Sequence, residues 1–251
     1  MFKNILIIGN GGREQVIKHI LKQQVTKTIK NIYNLKYTNI HDTIKFIEIN
    51  NIEFVVVGPE QPLVDGIIDI LEKRGIECFG PNKECARLEG SKAYSKKVMK
   101  DLGIPTSDYN TFSNYTKANL FIKDNFNEDN PNYVIKVSGL AAGKGVYIPS
   151  TKEEAEQALT EIYIDKRFSK DPETEIVIEE RLYGQEVSVL GFCNGYNIEF
   201  MPQAQDYKRS RDGDKGMNTG GMGSHAPVEI MNLKELEILR QKLLPLIRKF
   251  N

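Results

Sequence analysis

Lys136 opens the stretch KVSGLAAGKGVYI, which ends at Ile148 and sets a second lysine, Lys144, among Gly139, Gly143 and Gly145. Lysines among glycines suit phosphate. Backbone N–H groups unshielded by side chains can approach the oxygens, and ammonium groups answer their charge. A Walker A loop reads G-x-x-x-x-G-K-[ST] and joins a strand to a helix. Here only three residues separate Gly139 from Gly143, and Gly145 stands where the metal-binding hydroxyl would be. The flanks YVIKV and VYI are both strand-like, so Ser138 to Gly145 connect a hairpin. Its small residues (Gly139, Ala141, Ala142, Gly143, Gly145) would let the backbone drape over a triphosphate as a lid, the alternative being a plain flexible hairpin.

Four other stretches carry chemistry-bearing residues. In GNGGRE, Glu14 occupies the place of the third glycine of G-x-G-x-x-G, and no acidic residue ends the second strand, so a dinucleotide site is disfavoured. Gly11 and Gly12 can still aim backbone N–H groups at a monophosphate, with Arg13 as a forked partner, although a tight strand-to-helix turn explains them too. GPEQPL puts Glu60 at a strand's carboxyl end, where it could accept from a ribose or an amine, or simply begin a helix. IEERLYGQEVSV offers Glu179, Glu180 and Glu186 near a turn as acceptors for an amino group and ribose hydroxyls, or as ordinary surface acids. QDYKRSRDGDKGMNTGGMGSHAP sets Asn218, Thr219, Gly220, Gly221, Met222 and Gly223 beside Lys208, Arg209 and Arg211, which suits a small anion or a phosphoryl intermediate.

The elements that must position these residues follow from the hydrophobic pattern. Lys3 to Gly9, a weaker segment near Thr28 to Tyr33, Glu53 to Gly58 and Ile76 to Gly80 read as strands. Arg13 to Gln24, Asp42 to Asn50 and Val64 to Arg74 read as the helices between them. This βαβ alternation predicts a parallel sheet with right-handed crossovers, whose ligands sit beyond the carboxyl ends of the strands. A helix from Leu88 to Leu102 closes at Gly103 and Pro105. Beyond it, strands at 133–137, 146–148, 175–180, 186–192 and 198–201, with a helix at 151–164 begun by Glu153 and Glu154, predict an antiparallel α+β domain. Residues 205–225 read as a long polar loop, followed by an amphipathic helix from Leu233 to Phe250. The fold class is therefore α/β: an amino-terminal parallel-sheet domain over 1–102, then an α+β domain over 103–251 with a lid at about 112–192.

Composition narrows the classes. With 40% hydrophobic and 27% charged residues the 251-residue chain is of the globular kind, and zero formal net charge provides no long-range attraction for nucleic acid or an anionic membrane. No apolar run approaches the roughly 20 residues that span a bilayer. Cys78, Cys85 and Cys193, odd in number and scattered, suit reduced thiols in a cytoplasm, and His19, His41 and His225 form no zinc pattern with them.

Taken in order, GNGGRE, GPEQPLVDG, FGPNKECARLEGSK, GIPTSDY, VIKVSGLAAGKGV, VIEERLYGQEVS, QDYKR and NTGGMGSHAP resemble glycinamide ribonucleotide synthetase (phosphoribosylamine–glycine ligase), of the ATP-grasp superfamily. The resemblance covers nearly the whole chain. It implies ATP-dependent ligation of glycine to 5-phosphoribosylamine through glycyl phosphate, in purine biosynthesis, with Mg2+ or Mn2+ as the metal. On the matching positions it implies that Lys92 and Lys136 meet the α- and β-phosphates and that residues 139–145, including Lys144, close over them. Glu179, Glu180 and Leu182 would lie at the adenine hinge and Glu186 at the ribose. Gly11, Gly12, Arg13 and Glu60 would hold phosphoribosylamine. Asp206, Lys208 and Arg209, with the 218–223 loop, would border glycine and the transferring phosphoryl group.

The sequence also departs from the family pattern. Gln15 and Tyr207 stand where the family usually has His, Val137-Ser138 where it has Ala-Asp, and NLKYTNIH replaces a Pro-Gly-Asn turn. The family's paired metal ligands, in a Glu-Phe-Asn run, follow the last residue here, so the expected metal set within this chain is none. Glu229, Glu235 and Glu237 read instead as helix-surface acids. These points imply an amino-terminal portion, one half of a split enzyme completed by a carboxyl-terminal chain, or a nucleotide-binding remnant. Another ATP-grasp carboxylate–amine ligase is a further alternative.

Overall fold

A computed structural model of the chain describes residues 2–23, 29–141, 144–169, 171, 174–213 and 215–251, without the side chains of 215, 217 and 218. Two compact units emerge, residues 1–90 and 91–251. The division falls earlier than the boundary expected after residue 102. Around it the chain forms two helices rather than the one expected from 88 to 102. Ser91 has extended backbone (φ −142°) and its hydroxyl accepts the Tyr94 N–H at 3.2 Å, which starts a new helix there.

In the first unit the elements run β1 (Asn4–Ile8), α1 (Gly12–Gln23), β2 (Asn31–Leu35), α2 (Ile40–Ile49), β3 (Phe54–Val57), α3 (Glu60–Asp65), α4 (Ile67–Lys73), β4 (Glu77–Phe79) and α5 (Lys83–Gly90). The four strands make one parallel sheet in the order β2-β1-β3-β4. Its first strand is a continuous apolar run buried on both faces, Ile5, Leu6, Ile7 and Ile8 each being 5% exposed or less. Leu6, Ile8, Val55 and Val57 pack with Ile44 and Ile47 of α2 and Ile67, Ile68 and Leu71 of α4. The helix expected from Val64 begins earlier, at Glu60, and is divided at Gly66, whose φ of +93° an L side chain rarely adopts.

The second unit runs α6 (Lys92–Asp101), β5 (Tyr109–Phe112), α7 (Tyr115–Asn125), β6 (Tyr133–Val137), β7 (Val146–Tyr147), α8 (Lys152–Tyr163), β8 (Ile176–Glu180), β9 (Gly191–Cys193), β10 (Ile198–Phe200), β11 (Gln205–Arg211), β12 (Lys215–His225) and α9 (Leu233–Lys249). An antiparallel sheet in the order β5-β8-β6-β7 forms its centre. One face of that sheet (Ile135, Val137, Ile176, Ile178) packs on Ala118 and Ile122 of α7 and Ala155, Ala158, Leu159 and Ile162 of α8. Strand alternation leaves Lys136, Val177 and Glu179 on the other face.

Two expectations in this unit are corrected. Residues 186–190 do not extend as a strand; Ser188 makes a lone bridge to Ala204, and only Gly191–Cys193 pairs with a neighbour, β10. Val187 and Val189 alternate as in a strand, but alternation supplies no ladder partner. Residues 205–225 are not a loop but a long hairpin, β11 against β12, turning at Asp212-Gly213. The hydrogen bonds of a ladder come from the backbone, so glycine-rich polar sequence can form one. β5 and α7, which the sequence pattern did not announce, add an edge strand and a covering helix. No described helix is long and apolar enough to cross a membrane.

Candidate functional site

On the face of the central sheet away from α7 and α8, Glu179 is buried between two lysines. The Lys136 ammonium of β6 meets its Oε1, and the Lys96 ammonium of α6 stands 2.7 Å from its Oε2, as an ion pair off the line of a well-formed hydrogen bond. Side-chain exposure is 8% for Glu179, 11% for Lys96 and 30% for Lys136, so only Lys136 keeps a substantial face to solvent. Lys96 Nζ also donates to Thr106 Oγ1 at 2.7 Å and Ser107 Oγ at 2.6 Å, and lies 5.7 Å from the centre of the Tyr109 ring. Burial alone would raise the Glu179 carboxyl; the bond from Lys136 and the positive charges of Lys136 and Lys96 outweigh it and hold the group below the ordinary carboxylate range.

Lys96 is the residue that sequence reasoning missed. Its signal was present, since Lys92 and Lys96 are one helical turn apart in α6. Lys92 Nζ donates to the Gly139 carbonyl at 3.1 Å, and its backbone N–H to the Ser138 carbonyl at 2.8 Å. The expected cation thus touches the first glycine of the loop. At the far end, Val137 N–H donates to the Gly145 carbonyl at 2.8 Å, and Lys144 N–H to Ala141 at 2.9 Å. A Cβ on Gly145 would lie 2.8 Å from that of Ala141 and 3.1 Å from that of Val137, so close packing requires glycine there. Ser138, read as a departure, is buried and ties the loop to α6: its Oγ accepts from Ala93 N–H at 3.1 Å and lies 3.2 Å from Ser91 Oγ. Ala142 and Gly143 lie outside the described residues.

The two acids expected at the hinge face opposite sides of the sheet. Glu179 faces Lys136, whereas alternation turns Glu180 toward the other side at an exposed strand end, its N–H donating to Asp108 at 2.8 Å. Leu182 and Glu186 are exposed beyond it.

In the first unit Arg13 and Glu60 come together, Nη2 to Oε1 at 3.3 Å. The Gly11 N–H donates at 2.7 Å to Glu14 Oε2. Gly12 is the first residue of α1. Glu14 is 4% exposed, and its Oε1 lies 3.4 Å from Arg13 Nε. A Cβ on Gly9 would come within 2.6 Å of the Glu14 side chain, and one on Gly58 within 2.2 Å. The glycines at the ends of β1 and β3 therefore make room for a buried carboxylate. The sequence reading saw Glu14 only as a missing third glycine.

On the hairpin, Asp206 Oδ2 and Lys208 Nζ pair at 3.2 Å, and Arg209 donates to the Gly216 carbonyl at 2.8 Å. Tyr207 stacks on His225 with ring centres 5.6 Å apart, its hydroxyl 3.2 Å from Nδ1. Gly220, Gly221, Met222 and Gly223 are exposed along β12, and Gly221 N–H donates to Thr219 Oγ1 at 3.1 Å. The side chain of Asn218 lies outside the described residues. Among the described residues no group of three or more His, Cys, Asp or Glu side chains comes together that could hold a metal ion. The donors that do converge, lysine ammonium groups beside a glycine loop, suit phosphate oxygens.

Two family models match: phosphoribosylglycinamide synthetase N domain over residues 3–89, and phosphoribosylglycinamide synthetase ATP-grasp (A) domain over residues 90–250. A phosphoribosylamine–glycine ligase of Rhodopirellula baltica is 41% identical over 258 residues, covering 96% of this chain and 58% of its own. The crystal structure of phosphoribosylamine–glycine ligase from Thermotoga maritima superposes with a TM-score of 0.75 at 36% identity, over 96% of this chain and 60% of its own. D-alanine–D-alanine ligase from Bacillus anthracis, complexed with ATP, shares the fold alone: TM-score 0.64 at 20% identity, over 98% of this chain and 77% of its own. The chain thus spans about three fifths of the length of these two phosphoribosylamine–glycine ligases.

Proposed function

The chain belongs to the phosphoribosylglycinamide synthetase family, and we propose that it contributes the amino-terminal substrate domain and nucleotide-binding elements of a phosphoribosylamine–glycine ligase. The reaction proposed for the whole ligase joins glycine to 5-phosphoribosylamine in purine biosynthesis, in the cytoplasm. A glycine carboxylate oxygen takes the γ-phosphoryl group of ATP and ADP leaves. The amine nitrogen of phosphoribosylamine then attacks the glycyl carbonyl, phosphate leaves, and the nitrogen gives up a proton.

The observation that carries this reading is the pair of cations at the base of the glycine loop. Lys92 is bonded to Gly139, and the part-exposed Lys136 lies on the strand leading into it. Lys136 and Lys92 would answer phosphate charge, and the loop would keep water from an acyl phosphate that hydrolysis destroys. Arg13, steadied by Glu14 and Glu60, would hold the ribose phosphate, and Asp206 with Lys208 would border glycine. A divalent metal would supply further charge neutralisation, but the described residues bring no ligand group together for it.

Titration of the chain with ADP tests the nucleotide site. Binding at least tenfold weaker in Lys136→Ala is expected, and no binding to the parent chain would overturn it. Mass detection of glycinamide ribonucleotide from labelled glycine, ATP and freshly generated phosphoribosylamine tests the ligation. ADP binding without product would leave the chain a nucleotide-binding part that a separate partner completes. Product with a different amine would favour another ATP-grasp carboxylate–amine ligase.

A further inference from the structure

We propose that Lys96 is a positioning residue of the nucleotide site: it holds the Glu179 carboxylate, and through it the Lys136 ammonium, without touching the phosphates itself. The proposal rests on the nucleotide reading above and assigns different work to the two lysines.

Counting donors separates them. An ammonium group has three N–H donors. The Lys96 ammonium donates to Thr106 Oγ1 at 2.7 Å, Ser107 Oγ at 2.6 Å and the Ser107 carbonyl at 3.4 Å, so every donor has a protein oxygen, and it pairs by charge with Glu179 Oε2 at 2.7 Å. Lys96 is also nearly buried, 11% exposed at the side chain. Neither a free proton nor an open face remains for a ligand. Lys136 is 30% exposed, and its ion pair among the described residues is with Glu179.

Charge explains why the arrangement matters. Lys96, Glu179 and Lys136 together carry one net positive charge. Because Lys96 answers the Glu179 carboxylate from one side, Lys136 holds a fixed position and still attracts an anion. Without Lys96, Lys136 and Glu179 would cancel, and the phosphates would meet a neutral pair in a partly buried place where charge counts for more than in water.

The test compares ADP with adenosine as probes on Lys96→Met in the full chain. The expected result is ADP affinity lower by about tenfold or more, equivalent to about 1.4 kcal/mol, with adenosine affinity unchanged, because only the phosphates depend on Lys136. General damage to the fold would weaken both equally and overturn the proposal, as would unchanged ADP affinity. In the ligand-free chain, carbon-13 NMR of Glu179 should show its titration moving to higher pH in the variant; an unmoved titration also overturns the proposal. If the parent chain binds no ADP, the nucleotide reading fails on its own, and the Glu179 titration alone decides whether Lys96 holds the carboxylate. Should Lys96→Met not fold, Thr106→Val removes one tether while keeping the charge, and a smaller loss confined to ADP is expected; no loss, or an equal loss for adenosine, overturns the proposal.

Discussion

Glu179 on β8 meets Lys136 on the neighbouring strand β6 although its register partner there is Val134; Lys136 lies opposite Val177. The two charges reach each other diagonally along one face, with Lys96 closing the group from α6.

Removing the carboxylate should therefore be costly. Glu179→Gln leaves the nearly buried Lys96 without its counter-charge, and breaking a buried pair in this way costs about 3–5 kcal/mol. Urea denaturation followed by circular dichroism measures it. A loss below about 1 kcal/mol would show that solvent already screens the group.

Acid should have a related effect. Despite burial, which acts to raise it, the Glu179 carboxyl titrates below its ordinary value because the Lys136 and Lys96 ammonium groups stabilise its charged form. The unfolded chain then binds the proton first. The pairing contributes fully above the unfolded value, roughly pH 4.3, and its contribution is lost as pH falls through the lower folded value. Thermal scans across that range should show a steeper acid loss in the parent chain than in Glu179→Gln, and parallel profiles would refute the assignment.

Two glycines of one loop should respond differently. Gly145→Ala forces a methyl group to within 2.8 Å of Ala141 Cβ, whereas a Cβ on Gly139 meets no atom within 4 Å. Overpacking of this kind costs about 1–3 kcal/mol. Melting temperature and ADP affinity should both drop for Gly145→Ala, and Gly139→Ala should stay close to the parent in stability. Equal effects at the two positions would argue against this packing.

Gly58 and Glu14 should be coupled. The methyl group of Gly58→Ala would fall 2.2 Å from Glu14 Oε1, displacing the carboxylate from Gly11 and Arg13. A double-mutant cycle with Glu14→Ala should therefore give an interaction energy of about 1 kcal/mol or more. Additive losses would mean that the glycine is needed for another reason.

Much of this architecture can be read from residue order. The apolar runs NILII and FVVV announce central parallel strands, and YVIKV and IVIEE announce the second sheet, because burial of both faces demands such runs. The hairpin at 205–225 could not be read that way, since its ladder consists of backbone groups and its side chains are largely exposed. Lys92 and Lys136 stand out by their motifs. Lys96 does not, because its role depends on oxygens from Thr106, Ser107 and Glu179 that converge only after folding. Glu14 was hidden for a similar reason: the room it occupies belongs to Gly9 and to the distant Gly58.

The opposed directions of Glu179 and Glu180 have a consequence for how β8 finds its place. Sliding it by one residue against β6 would turn Glu180 toward Lys136 and drive Glu179 in among Ile135, Ala158 and Leu159, while Ile176 and Ile178 left that apolar layer. The misaligned sheet would then bury an acid without a cation and forfeit its hydrophobic contacts together. A charge group that serves the ligand site thus also acts as an alignment key, permitting only one pairing of the strands that carry it.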